Sequence, residues 1–258
     1  MAHIISITNQ KGGVGKTTTA TNLAAALAKC KKRTLLLDLD PQGNATTGMG
    51  LNKKAMDTTL YHALIGQVSI ESIVYGTEVE HLDVIPSRTE LAGMEAEILP
   101  KPEREQFLKK TIAPLNERYD YIIIDCPPSL SLLTVNAMTA AMGLIIPLQC
   151  EFYALEGLGQ LIQTIRLIKK GYNPSLGVVG ILLTMFDQRV NLSHQVADEA
   201  RRHFKDLVFE TRIPRNVRLG EAPSFGKPIL LYDPNSTGAK SYMALAKELI
   251  KKQSRRQA

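Results

Sequence analysis

The chain has 258 residues, 44% of them hydrophobic and 22% charged, with a formal net charge of +6. That balance excludes an intrinsically disordered chain. No apolar run approaches the ~18 residues of a membrane-spanning helix, which excludes a helical membrane protein.

The charge is one-sided. Residues 1–200 hold 18 Lys+Arg against 20 Asp+Glu, whereas residues 201–258 hold 13 against 5. Such a one-sided excess is the electrostatic footprint of a polyanion partner, nucleic acid or an anionic membrane. A single α/β domain over residues 1–258 is expected, with 201–258 as its basic C-terminal part. The N-terminus runs directly into a strand, so no signal peptide and a cytoplasmic location are expected. Cys30, Cys126 and Cys150 are widely spaced and form no C-x-x-C or Cys/His cluster, the pattern of reduced thiols.

In chain order, Ile4-Ile5-Ser6-Ile7-Thr8 predicts a strand and Ala20–Ala28 a helix. Between them lies Gln10-Lys11-Gly12-Gly13-Val14-Gly15-Lys16-Thr17-Thr18. Strand, glycine-rich turn, Gly-Lys-Thr and helix is the context of a phosphate-binding loop. Glycines let backbone N–H groups crowd a polyphosphate, and the helix N-terminus adds donors and partial positive charge. Lys16 is expected at the β- and γ-phosphates, with the Thr17 hydroxyl on Mg²⁺. Gly12, Gly13, Val14, Gly15 and Thr18 complete the cradle. One feature departs from the ordinary pattern: Gln10 stands where glycine is usual, and a second lysine, Lys11, opens the loop.

Arg33–Asp38 predicts a buried parallel strand. Asp38 and Asp40 follow it two residues apart and point to one side of an extended segment. Both are expected near the γ-phosphate, Asp38 nearer the metal and Asp40 orienting the attacking water. A turn role for Asp40 before Pro41 is the competing reading. Strands are also expected at Leu82–Pro86, Tyr121–Asp125, Leu144–Leu148 and Val178–Leu183, with a last short one at Val208–Arg212. Asp125 would end a central strand and hold a water of the Mg²⁺ shell.

Helices are expected where Leu155, Leu158, Leu161, Ile162, Ile165 and Ile168 form a stripe, and at 130–141, 191–203 and 237–252. Residues 43–60 and 86–104 read as loops or short helices near the active face. This alternation implies an α/β fold, a mostly parallel twisted sheet with helices on both faces and ligands beyond the carboxyl ends of its strands. The final helix sets Tyr242, Leu245, Ala246, Leu249 and Ile250 opposite Lys240, Lys247 and Lys251, and Lys252, Arg255 and Arg256 extend its charge.

The loop form K-G-G-x-G-K-T is the deviant one, and it resembles the P-loop NTPase family of ParA, Soj, MinD and the nitrogenase iron protein. The blocks Asp38–Thr46, Asp125–Ser129, Tyr153–Gly157, Ile213–Arg218 and Glu221–Pro228 resemble ParA/Soj partition ATPases specifically, across residues 2–250. The resemblance implies an ATPase using ATP and Mg²⁺, weakly active alone, with Lys11, Lys16 and Asp40 as its catalytic residues. It implies that Lys11 reaches a partner subunit's phosphates across an ATP-dependent homodimer, with Gly12 at the contact. It places Pro214 and Asn216 against the adenine. Arg189, Arg215, Arg218, Lys227, Lys247, Lys251 and Lys252 would bind double-stranded DNA without sequence preference, making the ATP form nucleoid-associated. A ParB-type centromere-binding protein would stimulate hydrolysis, in chromosome or plasmid partition.

Three other classes compete. A MinD-like membrane-surface ATPase needs an apolar, basic C-terminal helix, and the tail after Ile250 has no bulky apolar residue; no membrane partner is expected. An iron–sulfur reductase would need Cys126 and Cys150 in a different arrangement. A DNA-binding scaffold would not hydrolyse ATP. No helix-turn-helix domain fits before residue 10, so operator binding is not expected.

Overall fold

The β-branched run near the start forms β1 (His3–Ile7), and the alanine-rich run after the glycine loop forms α1 (Lys16–Lys29). Next come β2 (Thr34–Asp38), α2 (Asn44–Gly48), α3 (Leu60–Leu64), β3 (Tyr75–Gly76) and β4 (Leu82–Ile85). α4 (Leu91–Ile98) and α5 (Phe107–Ile112) lead to β5 (Tyr121–Asp125), α6 (Leu132–Ala140) and β6 (Gly143–Gln149). α7 (Ala154–Gly171), β7 (Gly177–Thr184), α8 (Asn191–Phe204), α9 (Val217–Glu221), α10 (Ile229–Tyr232) and α11 (Thr237–Gln257) follow. The computed structural model describes residues 1–151 and 154–257, with side chains through residue 254. Tyr153 and the side chains of Arg255 and Arg256 therefore lie outside the described residues.

The strands form one seven-stranded sheet in the order β3-β4-β2-β5-β1-β6-β7. All pairs are parallel except the short antiparallel edge pair β3–β4. Alternate residues of the central strands feed two cores. Leu35, Leu37, Ile122 and Ile124 face a layer that includes α3 to α8. Leu36 and Ile123 face a layer built on α1, α10 and α11. Burial on both faces is why these strands read as unbroken apolar runs rather than alternating ones. Each buried Leu or Ile contributes on the order of 2 kcal/mol. Strands anchored so firmly carry the aspartates at their ends into the interior.

The irregular stretches at 43–60 and 86–104 hold α2, the start of α3 and α4 between turns, as expected. The strand expected at Val208–Arg212 is absent as a named strand. That segment touches β7 through an isolated bridge from Val208 to Ile181, and a second bridge joins Pro214 to Phe186. The reason is where its donors go. The N–H groups of Glu210 and Thr211 both donate to the Glu248 carboxylate of α11, each at 2.9 Å, which interrupts the ladder. Phe209 meanwhile packs over Gly180, where an added Cβ would come within 2.3 Å of its ring.

Candidate nucleotide site

The site is assembled where β1, β5 and β2 end side by side. Ile7 pairs with Asp125, and Asp125 pairs with Asp38. The chain leaves β1, turns through Gly13 (φ 76°) and Gly15 (φ 86°), and enters α1 at Lys16. Both glycines use the left-handed region that other residues avoid. Gly15 is the N-cap and offers no side chain, so the first-turn N–H groups of α1 have no side-chain cap. An anion fits there.

Two buried polar residues, unremarked at the level of motif, brace this loop from either side. Asn9 donates to the Pro147 carbonyl on β6 at 2.7 Å and accepts from the Lys11 N–H at 3.0 Å. Thr184 at the end of β7 donates to the Val14 carbonyl at 2.9 Å. Their only sequence signal is a polar residue at a strand terminus.

The two lysines behave differently. Lys16 is buried, its ammonium donating to the Lys11 carbonyl at 2.8 Å. Burial lowers its pKa, opposed by the charges of Asp125 and Asp40. Lys11 is exposed and ion-paired with Glu151. Around Gly12 and Gly13 an added Cβ would meet no described atom within 4 Å. Contacts with the described residues therefore do not account for a glycine at position 12.

Asp38, Asp40 and Asp125 are all buried. Asp38 accepts from the Thr46 N–H and hydroxyl, both at 2.7 Å, and from the Asp40 N–H at 3.2 Å. Burial raises its carboxyl to about 6, against the pull of those hydrogen bonds. Asp40 accepts from the Gln42 N–H at 2.9 Å, so the turn role anticipated for it is present. Neither Asp125 oxygen makes a hydrogen bond of ordinary geometry to a described residue. Burial raises its carboxyl well above the usual range, and the Asp38 charge adds to this, while the nearby Thr17 hydroxyl and Lys16 oppose it. An orphaned buried carboxylate beside a hydroxyl suits Mg²⁺, which keeps several waters and takes one or two carboxylates. Cys126 lies beneath, its thiol 3.0 Å from Ser6 Oγ and pushed up to about 12 by burial. It packs as a neutral thiol.

These shifts set a pH dependence. Raised native pKa values mean that the folded state binds more protons than the unfolded chain, so the contribution to stability falls as pH climbs from 3.8 through about 6. Asp125→Asn removes one of the two neighbouring carboxylates. Its melting temperature relative to the parent protein should therefore rise with pH across that window when both are scanned without nucleotide. A constant difference would rule out the buried pair as the source.

Beside the loop, a cavity of about 190 Å³ is lined by Gly15, Met185, Ile213, Pro214, Leu219 and Tyr242 among others, a mostly apolar slot. Asn216 also lines it, but both ends of its side chain are engaged. Its carbonyl accepts from the Arg218 N–H at 2.8 Å and its amide donates to Thr237 at 2.7 Å.

Three of the residues expected to meet DNA line two different concavities. Arg189 and Arg215 line a larger cleft of about 720 Å³ next to the slot, together with Arg212, which the sequence did not single out. The Arg212 guanidinium lies 4.4 Å from the Phe186 ring centroid. Arg189 pairs with Asp187 at 2.8 Å, Arg218 with Glu221 at 2.9 Å and Lys227 with Glu78 at 3.5 Å. Lys247 and Lys251 are exposed on α11. Lys252 lines a separate concavity with Arg201 and Lys205.

The AAA domain family model matches residues 2–178. The chain is 56% identical over 252 residues to the chromosome partitioning protein ParA of Myxococcus xanthus, covering 98% of this chain and 89% of that one. It is 55% identical over 249 residues to the sporulation initiation inhibitor protein Soj of Bacillus subtilis, covering 96% and 98%. Among solved structures it superposes on the cobyrinic acid a,c-diamide synthase of Mycobacterium smegmatis with bound ADP and magnesium. The TM-score is 0.87 and the identity 35%, with 98% of this chain and 96% of that one covered.

Proposed function

The chain belongs to the ParA/Soj family of chromosome-partitioning ATPases, and from that premise we propose that it is a Mg·ATP-gated dimerisation switch whose ATP form holds duplex DNA. The observation that carries this reading is the pair of lysines on one glycine loop. Lys16 is buried at the phosphate cradle, whereas Lys11 is exposed and, among the described residues, ion-paired with Glu151. One cation serves the chain's own nucleotide and the other is free to serve a neighbour's, as an arginine finger does in trans.

In this reading the N–H groups of residues 12–18 and the Lys16 ammonium bind and orient the triphosphate. Thr17, Asp38 and Asp125 would hold Mg²⁺, Asp38 and Asp125 through water. The metal, when bound, neutralises charge on the phosphates. Asp40 orients the attacking water, and the apolar slot takes the adenine, with Pro214 forming part of its wall. Asn216 contributes to the same wall, its side chain fixed by the bonds to Thr237 and the Arg218 N–H. Intrinsic hydrolysis is slow because the site is incomplete in one subunit, and a ParB-type protein accelerates it.

Dimerisation doubles the basic surface, and DNA affinity rises steeply with the number of phosphates neutralised. Arg189, Arg215, Arg218, Lys227, Lys247, Lys251 and Lys252 supply the contacts. The apolar face of α11 is packed into the core through Tyr242, Leu245, Ala246 and Leu249. That face is committed to the fold, which favours nucleic acid over lipid as the partner. Among the described residues no helix is long and apolar enough to cross a membrane.

The test is co-sedimentation with duplex DNA in ATP, in ADP and without nucleotide. Binding is expected with ATP alone, and equal binding in all three conditions would overturn the switch. Arg189→Ala and Arg218→Ala should each weaken binding to every sequence alike and lower the salt dependence, while the ATP dimer persists in light scattering. Loss confined to one sequence would contradict a phosphate-only contact.

A further inference from the structure

We propose that Thr46 is a positioning residue for Asp40, locking the loop after β2 against the end of β4; this rests on the reading of Asp40 as the water-orienting group. Thr46 is fully buried. Its hydroxyl donates to Asp38 Oδ2 at 2.7 Å and accepts from the Ser87 N–H at 3.0 Å. Its own N–H donates to the same carboxylate oxygen at 2.7 Å. The other oxygen, Asp38 Oδ1, accepts from the Asp40 N–H at 3.2 Å. Asp38 is thus a bridge with Thr46 on one oxygen and the Asp40 backbone on the other.

A second feature docks the same loop at the same place. Gly43 sits at φ +64°, and a Cβ there would come within 2.6 Å of the Ser87 carbonyl. The loop therefore meets Ser87 twice, by a hydrogen bond at Thr46 and by backbone contact at Gly43. Ser87 lies just beyond β4, which pairs with β2 along its length. The β2–β4 pairing and these two contacts with Ser87 hold the loop against the sheet. A group that orients water loses rate when its seat loosens, and a displacement near 1 Å costs on the order of 100-fold. Nucleotide affinity is set chiefly by the N–H groups of the glycine loop and by Lys16, which make none of these contacts.

Thr46→Val keeps the volume and deletes both hydroxyl bonds, whereas Thr46→Ser keeps them. The expected result for Thr46→Val is a kcat lowered on the order of 100-fold with KM for ATP little changed, and accumulation of the ATP dimer. Hydrogen exchange in the nucleotide-free protein should quicken in peptides spanning 39–46 and 85–90. Thr46→Ser should retain most of kcat. Gly43→Ala, which leaves no buried donor unpaired, should repeat the kcat loss, so the idea remains testable if Thr46→Val does not fold. In the double variant, Asp40→Ala should mask Thr46→Val. Additive losses, a raised KM without loss of kcat, or a Thr46→Ser as impaired as Thr46→Val would overturn the positioning role. An Asp40→Ala variant with full kcat would instead overturn the reading of Asp40.

Discussion

Gly12→Val should bind ATP like the parent protein and remain a monomer at ATP concentrations that dimerise the parent. Among the described residues of one subunit the substitution has nothing to disturb. An added Cβ at Gly12 meets no described atom within 4 Å, and the backbone there is not in the left-handed region. The cost to the folded monomer should therefore stay within about 0.5 kcal/mol, as for other surface changes. The cost falls on assembly. A glycine without a local reason invites a backbone-close approach from outside the chain, and valine methyl groups would stand in that approach. A gap of even 0.5–1 Å across a packed interface forfeits roughly a quarter to a half of each dispersion contact. Summed over an interface, the dimer should weaken by at least about 100-fold, or roughly 2.7 kcal/mol. Light scattering after size exclusion with ATP reads the mass directly, and labelled ATP reads nucleotide binding. DNA binding should be lost with the dimer. An ATP-stable Gly12→Val dimer would sink the proposed geometry.

Asp40→Ala should do the reverse, keeping the ATP dimer and losing turnover. A positioned general base or water-orienting group contributes typically 10²–10⁴-fold, and a fall of about 100-fold or more in kcat is expected here. The side chain also accepts from the Gln42 N–H at 2.9 Å, so its loss loosens a turn as well. A hydrogen bond of this kind is worth about 1 kcal/mol, small beside the catalytic effect. Asp40→Asn separates the two roles. The asparagine carbonyl can still accept from Gln42, but it cannot take a proton or carry the charge. If Asp40 only shapes the turn, Asp40→Asn turns over normally. If its carboxylate acts on water, Asp40→Asn resembles Asp40→Ala in phosphate release and in dimer accumulation.

Much of the architecture was legible in residue order, because parallel strands buried on both faces need unbroken apolar runs, and α/β folds alternate those runs with amphipathic helices. β2 and β5 announce themselves as Leu35-Leu36-Leu37 and Ile122-Ile123-Ile124, each ending in an aspartate. The stripe on α7 and the apolar face of α11 were equally plain. The segment 208–212 misled because Val208 and Phe209 have strand-like side chains, yet Glu248, far away in sequence, takes the N–H groups a strand would need. Propensity reports side-chain fit and carries no information about a distant competitor for the backbone.

By itself, the sequence determined the glycine loop, its two lysines, the aspartates at the ends of β2 and β5, and a basic last quarter, since each is a matter of residue type and local spacing. Tertiary structure alone decided which of these act together. It set Asp38 beside Asp125, so that burial raises both carboxyls and the Asp38 charge adds to the shift of Asp125. It braced the loop with Asn9 and Thr184, engaged both ends of Asn216, and brought Arg212 beside Arg189 and Arg215. It also held the Lys53 ammonium against the Gln42 carbonyl, on the loop that carries Asp40. The physical reason is range. Helix and strand patterns arise from neighbours a few positions away, whereas desolvation, charge coupling and the completion of hydrogen bonds depend on groups brought close only by folding.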